Sequence, residues 1–287
     1  MKHVEALVVG SGAGGASTAA TLAAAGVETL VLEEGPEVAP GALPQFSQAQ
    51  MRHQYRNRGQ LMALGLPPIT YAEGRCVGGS TEINSGLYHR PSAALLAGWT
   101  RGWGIEGLTS EVVDPISAAI ERNLCVSTFP GPLPPASAFL AAGAEALGWY
   151  SVEVPRWFRH DTGQRQSMSL TYLRYARQHG AQVRSGARVQ RIEVRDGRAT
   201  AAVVEGADGG QVRIGFDTAF VCGGAVQSAA LLLRSGVAAN VGRTLSMHPT
   251  VKAVAFSEKI GNDPHDVPVT QVREFAPDMT IGGSATD

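Results

Sequence analysis

The stretch that most limits the fold is "ALVVGSGAGGASTAATLAAAGVETLVLEEG", residues 6–35. A short apolar run, "ALVVG" (6–10), suits a buried parallel strand. An Ala-rich segment over 13–26 reads as a helix closed by Gly26, and "VETLVLEEG" (27–35) as the next strand. Two parallel strands joined through a helix must cross over right-handed. The loop between them, Gly10-Ser11-Gly12-Ala13-Gly14-Gly15, fits G-x-G-x-x-G. Gly10 makes the tight turn, Gly12 admits a pyrophosphate against the backbone, and Gly15 lets the helix lie close to the sheet. The anion would sit where the helix N-terminus presents unpaired N–H groups. Glu33 ends the second strand 18 residues after Gly15, with Glu34 beside it. An acid there is placed to accept the ribose hydroxyls of the adenosine half. The loop by itself does not separate NAD from FAD.

A second glycine cluster lies far from the first, in "GRCVGGSTEINSGLYHRP" (74–91). A long cofactor gripped at two places would account for it. Gly78 and Gly79 would offer backbone N–H groups at close approach, Ser80 and Thr81 hydroxyl donors, and Asn84 an amide.

With these segments on view, the chain resembles the glucose–methanol–choline (GMC) flavoprotein oxidoreductases. The resemblance rests on "GSGAGG…VLEEG", "GRCVGGSTEIN" and "LYHRP", and on "SMSLTYL…GAQVRSGARVQRI", "TAFVCGGAVQSAALLLRSGV" and "NVGRTLSMHPTV" in that order. It implies an α/β fold: a Rossmann-like FAD-binding domain with a parallel sheet and a β-meander, a helical insert, and the beginning of an antiparallel substrate-domain sheet. The implied layout is a first FAD-binding part (1–91), a helical insert or substrate-side cap (92–165), a second FAD-binding part (166–250), and an incomplete substrate sheet (251–287). Gly78, Gly79, Ser80 and Asn84 are carried over as flavin contacts, with Arg75, Ser85 and Gly86 from the same segment. Val189 is carried over as a backbone contact to adenine, and Cys222, Gly223 and Gly224 as a later turn near the cofactor. Some relatives attach flavin through a histidine in the second loop. Here Glu82 and Ile83 stand in the comparable place, so a non-covalent FAD is expected.

Local patterns fill in the rest. Residues 36–73 look irregular, with Pro40, Pro44, Pro67 and Pro68 around "QMRHQYRNRGQ". Helices are expected over 109–124, capped by Thr109 or Ser110, over 136–148, and over 167–180, with Leu170, Leu173 and Ala176 on one face of the last. "FPGPLPP" (129–135) reads as a stiff linker. Residues 187–217 read as a meander turning at Asp196-Gly197 and again at "ADGG", and 218–236 as strand, glycine turn and helix.

Composition excludes several classes. A net charge of −1 argues against a nucleic-acid partner. No run is apolar for long enough to span a bilayer, and the N-terminus does not read as a signal peptide. Cys76, Cys125 and Cys222 form neither a disulfide framework nor a metal spacing, so a reduced, cytoplasmic setting is expected without metal.

The resemblance implies oxidation of a small-molecule alcohol to an aldehyde or ketone, by hydride transfer from carbon to flavin N5 with a histidine as base. No residue here matches the family's catalytic histidine, which lies in its C-terminal half. His248 reads as a loop histidine before Pro249, and His160, His179 and His265 carry no supporting motif. The strands expected at 251–258 and 267–277 look like the start of an unfinished sheet. One reading is a split or processed enzyme completed by a second polypeptide, the other a fragment. The alternative functions are a non-catalytic FAD-binding subunit and a NAD-dependent dehydrogenase.

Overall fold

A computed structural model of the chain describes residues 2–254 and 267–283. In chain order the elements begin β1 (Lys2–Val9), α1 (Ala13–Ala24), β2 (Thr29–Leu32), α2 (Gln48–Gln54), β3 (Leu61–Ala63) and β4 (Ile69–Tyr71). Then come α3 (Ala93–Trp103), α4 (Ser110–Asn123), β5 (Val126–Ser127), α5 (Pro135–Ala146), β6 (Ser151–Glu153), β7 (Arg156–Arg159) and β8 (Gln164–Arg165). The chain continues through α6 (Tyr172–Gln178), β9 (Gln182–Arg184), β10 (Arg188–Arg195), β11 (Arg198–Glu205), β12 (Gln211–Val221) and α7 (Gly224–Arg234), and ends with β13 (Thr270–Val272) and β14 (Ile281–Gly282). Two compact units emerge: residues 1–84 with 167–252, and residues 85–166 with 253–287.

The first unit is built on a six-stranded sheet in the order β10-β11-β12-β1-β2-β9. The four strands β12, β1, β2 and β9 run parallel, and β10, β11 and β12 form the antiparallel meander. Successive side chains of a strand point to opposite faces, and the core divides accordingly. Leu7, Leu30 and Leu32 join Val189, Ile214, Phe216 and the α7 residue Leu231 on one face. Val8 and Val31 meet Ala19, Ala20 and Ala23 of α1 and Ala176 of α6 on the other. The alanines let α1 lie close, and Gly15 carries this furthest: a Cβ there would stand 1.9 Å from the Gly10 carbonyl oxygen.

The meander turns at Asp196 and Gly197, both at positive φ (51° and 75°), as a tight hairpin of this kind requires. The sequence suggests a third meander strand followed by a separate strand, but these are one element. Gly215 and Asp217 make no turn, and Gly215 pairs with both Ala201 and His3, so β12 pairs antiparallel with β11 and continues parallel to β1.

Three further expectations need correction. The helix expected over 167–180 begins only at Tyr172. The amides of Met168 and Ser169 reach Thr81 Oγ1 (3.0 Å) and Glu82 Oε1 (3.3 Å), and the backbone departs from helical geometry at Thr171 (φ −115°, ψ −93°), so the regular helix starts after it. Residues 36–73 are more regular than their prolines suggest. Ser47 caps α2 by accepting from the Gln50 amide (3.1 Å), and β3 and β4 form a hairpin. The helical insert also contains strands. In the second unit, α3, α4 and α5 accompany β5-β7-β8 and the sheet β14-β13-β6. Within 267–277 a strand is present at Thr270–Val272, held between β6 and β14. Residues 251–254 form no strand, and 255–258 lie outside the described residues, as does His265.

Candidate functional site

At the carboxyl ends of β12, β1 and β2 the first unit opens into a cavity of about 1020 Å³. Connections leave β1 and β12 toward different neighbours here, the position where open α/β sheets hold ligands. Two helices start at its wall. The N-cap residues of α1 and α7, Gly12 and Gly223, make no side-chain cap bond, and neither first turn carries an acid. First-turn N–H groups have no intrahelical acceptor, so both helices present donors and positive potential there.

The glycines of the three turns pack backbone against backbone. Gly10 has φ +98°, and a Cβ on it would lie 2.4 Å from the Cys222 carbonyl oxygen. Gly79 has φ +58°, and its Cβ would lie 2.8 Å from Gly12 Cα. Thus the first and second glycine segments touch each other and form one wall. The task of Gly78 and Gly79 differs from the one the sequence suggests. The Gly78 amide donates to Ser11 Oγ (3.1 Å) and the Gly79 amide to the Cys76 carbonyl (2.8 Å). Their donors are engaged inside the protein, and their contribution is the absence of side chains. Thr81 likewise donates to the Gly78 carbonyl (2.6 Å) rather than to a ligand.

Glu33 braces these turns. Its buried carboxylate accepts from the Ser11 amide (3.1 Å), Ser11 Oγ (2.7 Å) and the Gly35 amide (2.9 Å). A carboxylate has about four acceptor positions, so it retains capacity toward the cavity it lines. Glu34, beside it on the wall, is paired with Arg56 and has Arg188 and Arg75 at 3.7 and 3.9 Å. Arg56 also stands 2.9 Å from Glu73 Oε2. Burial holds the Arg56 pKa below the usual guanidinium value, and Glu73 opposes that shift.

Most of the residues singled out from sequence meet at this cavity: Gly10 to Gly14, Glu33, Glu34, Gly79, Ser80, Asn84, Val189 and Cys222 to Gly224 all line it. Gly15 and Gly78 stand behind the wall, and Arg75 reaches it only through Glu34. Ser85 and Gly86 belong to the second unit, where their carbonyls accept from Arg156 Nε (3.2 Å) and the Trp157 amide (2.9 Å). Burial raises the Cys222 thiol pKa, with a smaller opposing effect from Thr18.

Sequence reading missed Arg56, Tyr71, Glu73 and Gln227 on the wall. Arg56 precedes and Tyr71 ends a hairpin that has no strong strand signature, Glu73 follows it, and Gln227 lies within the segment 218–237 without having been singled out. His248, read as a loop histidine, is in a loop and lines the cavity. His160 and His179 lie elsewhere: His160 packs its ring 5.3 Å from Phe129 and 5.2 Å from Phe158, and His179 sits on Tyr175 at the end of α6. Among the described residues no group of three His, Cys, Asp or Glu is placed to hold a metal ion.

Comparison with known proteins agrees with this geometry. Residues 5–250 match the family model described as GMC oxidoreductase. The uncharacterized GMC-type oxidoreductase y4nJ of Sinorhizobium fredii is 38% identical over 98% of the chain and 59% of its own length. The long-chain-alcohol oxidase FAO4B of Arabidopsis thaliana is 26% identical over 86% of the chain and 36% of its own length. The crystal structure of pyridoxine 4-oxidase from Mesorbium loti superposes with a TM-score of 0.63 at 22% identity, over 82% of this chain and 52% of that one. The chain therefore spans about half the length of the proteins it matches. With a family model covering most of its length and a close relative covering nearly all of it, the chain belongs to the GMC oxidoreductase family, whose members are flavoproteins using FAD.

Proposed function

We propose that the chain binds FAD non-covalently in the cavity of its first unit and supplies the flavin-binding portion of an enzyme that oxidises an alcohol to an aldehyde or ketone. The observation that carries the reading is the single cavity wall made by Gly12 and Gly79, two turns distant in sequence with their backbones in contact. A side chain on Gly79 would run into Gly12 and force the two turns apart, so this wall needs glycine there. The cavity also fits in size and chemistry. Its volume stands at the upper end of the range for ligand pockets, about 300–1,000 Å³. Two uncapped helix N-termini at the wall would favour an anion, and Glu33 stands at the end of β2, where the ribose hydroxyls would lie.

FAD, when bound, supplies the electron acceptor for removal of hydrogen from the alcohol carbon. This chain's residues do the holding. α1 and α7 would direct N–H donors at the diphosphate, Glu33 would orient the adenosine ribose, and Val189 would border the adenine. Asn84 offers an amide on the wall of the second glycine segment. The general base that takes the hydroxyl proton is assigned to the portion of the relatives beyond this chain, whether in the same or a second polypeptide. The alcohol class is favoured by the relative named as a long-chain-alcohol oxidase. Non-covalent attachment is favoured because the second loop has Glu82 and Ile83 where some relatives have histidine, and Glu82 accepts from the Ser169 amide. Three free cysteines, one of them exposed, suit a reducing, cytoplasmic setting.

The test is spectroscopic. Purified chain incubated with FAD and desalted is expected to retain flavin absorbance, and acid precipitation to release the flavin into the supernatant. Colourless protein that takes up NADH instead would overturn the reading. Flavin that stays with the precipitate would overturn non-covalent attachment.

A further inference from the structure

The cavity is closed on one side by the start of β10 and the last turns of α7. After β9 the chain crosses the end of β2, where the Ala187 amide donates to the Glu33 carbonyl (2.8 Å), and then enters β10. Ala187 and Val189 therefore line the cavity together with Glu33 and Glu34. Leu231 and Arg234 line it from α7, which packs on β10. Ser235 fastens the two elements: its Oγ accepts from the Ile192 amide (2.8 Å) and donates to the Leu231 carbonyl (2.7 Å).

Arg234 stands out in this group. Its Nε donates to the carbonyl of Gln190 (2.8 Å), the residue after Val189. It is exposed and in no ion pair among the described residues. Arg188, before Val189, instead stands 3.7 Å from Glu34 Oε2. A cation in the last turn of a helix complements the helix dipole. That role needs only charge, whereas the bond to Gln190 also restrains the plane of the guanidinium beside Val189. Nor is Arg234 placed for the anion expected at the start of α7. The helix runs 11 residues, Gly224–Arg234, which rise about 16 Å, so the guanidinium belongs to the other end. A planar, weakly hydrated cation stacks well on aromatic faces, nucleobases included. Leu231, Val189 and Ala187 add apolar surface for such a base.

We propose that Arg234 reads the adenine of the dinucleotide by stacking its guanidinium on the base, and so favours FAD over flavins that lack adenine. The inference rests on the FAD reading above. The competing partner for Arg234 is an acidic side chain from the portion of the relatives beyond this chain. That pairing would leave cofactor binding by this chain independent of Arg234, so the chain as it stands separates the two.

Equilibrium dialysis of the full chain against FAD and FMN, with ADP as a competitor for FAD, tests this. Wild type is expected to bind FAD at least tenfold more tightly than FMN, with ADP displacing FAD. Arg234→Met, which keeps the apolar stem, should weaken FAD and ADP about tenfold and leave FMN unchanged. Arg234→Lys, which keeps the charge and loses the plane, should behave like Arg234→Met. The thermal midpoint of the cofactor-free variants should stay at the wild-type level, because Ser235 still holds α7 to β10. Wild-type FAD affinity in Arg234→Met would overturn the proposal and support the competing partner. Full affinity in Arg234→Lys would reduce the role to charge and also overturn it, as would equal losses for FAD and FMN, the mark of a structural role. Wild type that binds neither FAD nor ADP would overturn the FAD reading itself, and this inference with it.

Discussion

Ser11 joins the three parts of the cofactor wall. Its hydroxyl donates to Glu33 and accepts from the Gly78 amide, while its own amide donates to the same carboxylate. It is wholly buried, so no water replaces what its removal takes away. Ser11→Ala leaves the Gly78 N–H without an acceptor and Glu33 with one donor fewer. Each buried orphan costs about 1–3 kcal/mol, and the loss is expected to total about 2–4 kcal/mol because the two bonds share one group. Urea unfolding of the FAD-free chain checks it: the midpoint should fall with the slope unchanged. Gly79→Ala tests the contact from the other side. A methyl 2.8 Å from Gly12 Cα, on a residue at φ +58°, must push the two turns apart. FAD retention after desalting is expected to fall at least tenfold, whereas Gly14→Ala, with nothing within 4 Å of its added Cβ, should keep the turns in contact. Equal retention by Gly79→Ala and wild type would separate the wall contact from cofactor binding.

At the scale of elements, what could be read from sequence was what local chemistry alone decides. β1, α1 and β2 were legible because period, glycine spacing and strand-end acid agree within thirty residues. The meander was legible because Asp196-Gly197 marks its turn. The start of α6 was not, because the backbone breaks at Thr171 in a segment that Thr81 and Glu82, almost ninety residues earlier, tie down through the Met168 and Ser169 amides. Likewise the glycine pair at 78–79 was visible as a site element, but its task was not. Which donors remain for a ligand depends on Ser11 arriving from elsewhere for the Gly78 amide, and on a local turn that gives the Gly79 amide to the Cys76 carbonyl. Titration behaviour also belongs to this scale. In the second unit His89 is held below the usual histidine pKa by burial and then by Arg273, whose Nη2 lies 2.7 Å from Nδ1. His160 is lowered by burial and then by Arg156. For both, the unfolded chain binds the proton more readily. The folded unit therefore keeps its full stability above the unfolded value of about 6.5 and loses it as pH falls below that. Denaturant midpoints followed by tryptophan fluorescence should decline from pH 7.5 to 5.5. His89→Gln, which keeps an acceptor for Arg273, should flatten the decline; an unchanged slope would remove His89 from the account.

For the whole molecule, the exposed apolar side chains of the second unit are the informative feature. α4 buries only Ser117 of its fourteen residues while Val112 and Ile116 stay exposed, and Trp103 and Phe139 are exposed in the same unit. An amphipathic helix with its apolar side in water gains little from folding where it does. This supports the proposal that a further portion, matching the length of y4nJ beyond the aligned region, covers the chain and brings the catalytic base. The isolated chain should then bind a hydrophobic fluorophore strongly and show fast amide exchange in α4. Joined to the remaining portion of a full-length relative such as y4nJ, as one polypeptide, it should lose most of the dye signal, protect α4, and reduce its flavin when an alcohol is added. Weak dye binding and slow exchange in the isolated chain would mean that the exposed face needs no cover. A joined protein whose α4 is protected but whose flavin stays oxidised with every alcohol tried would retain the cover and count against alcohol as the substrate class.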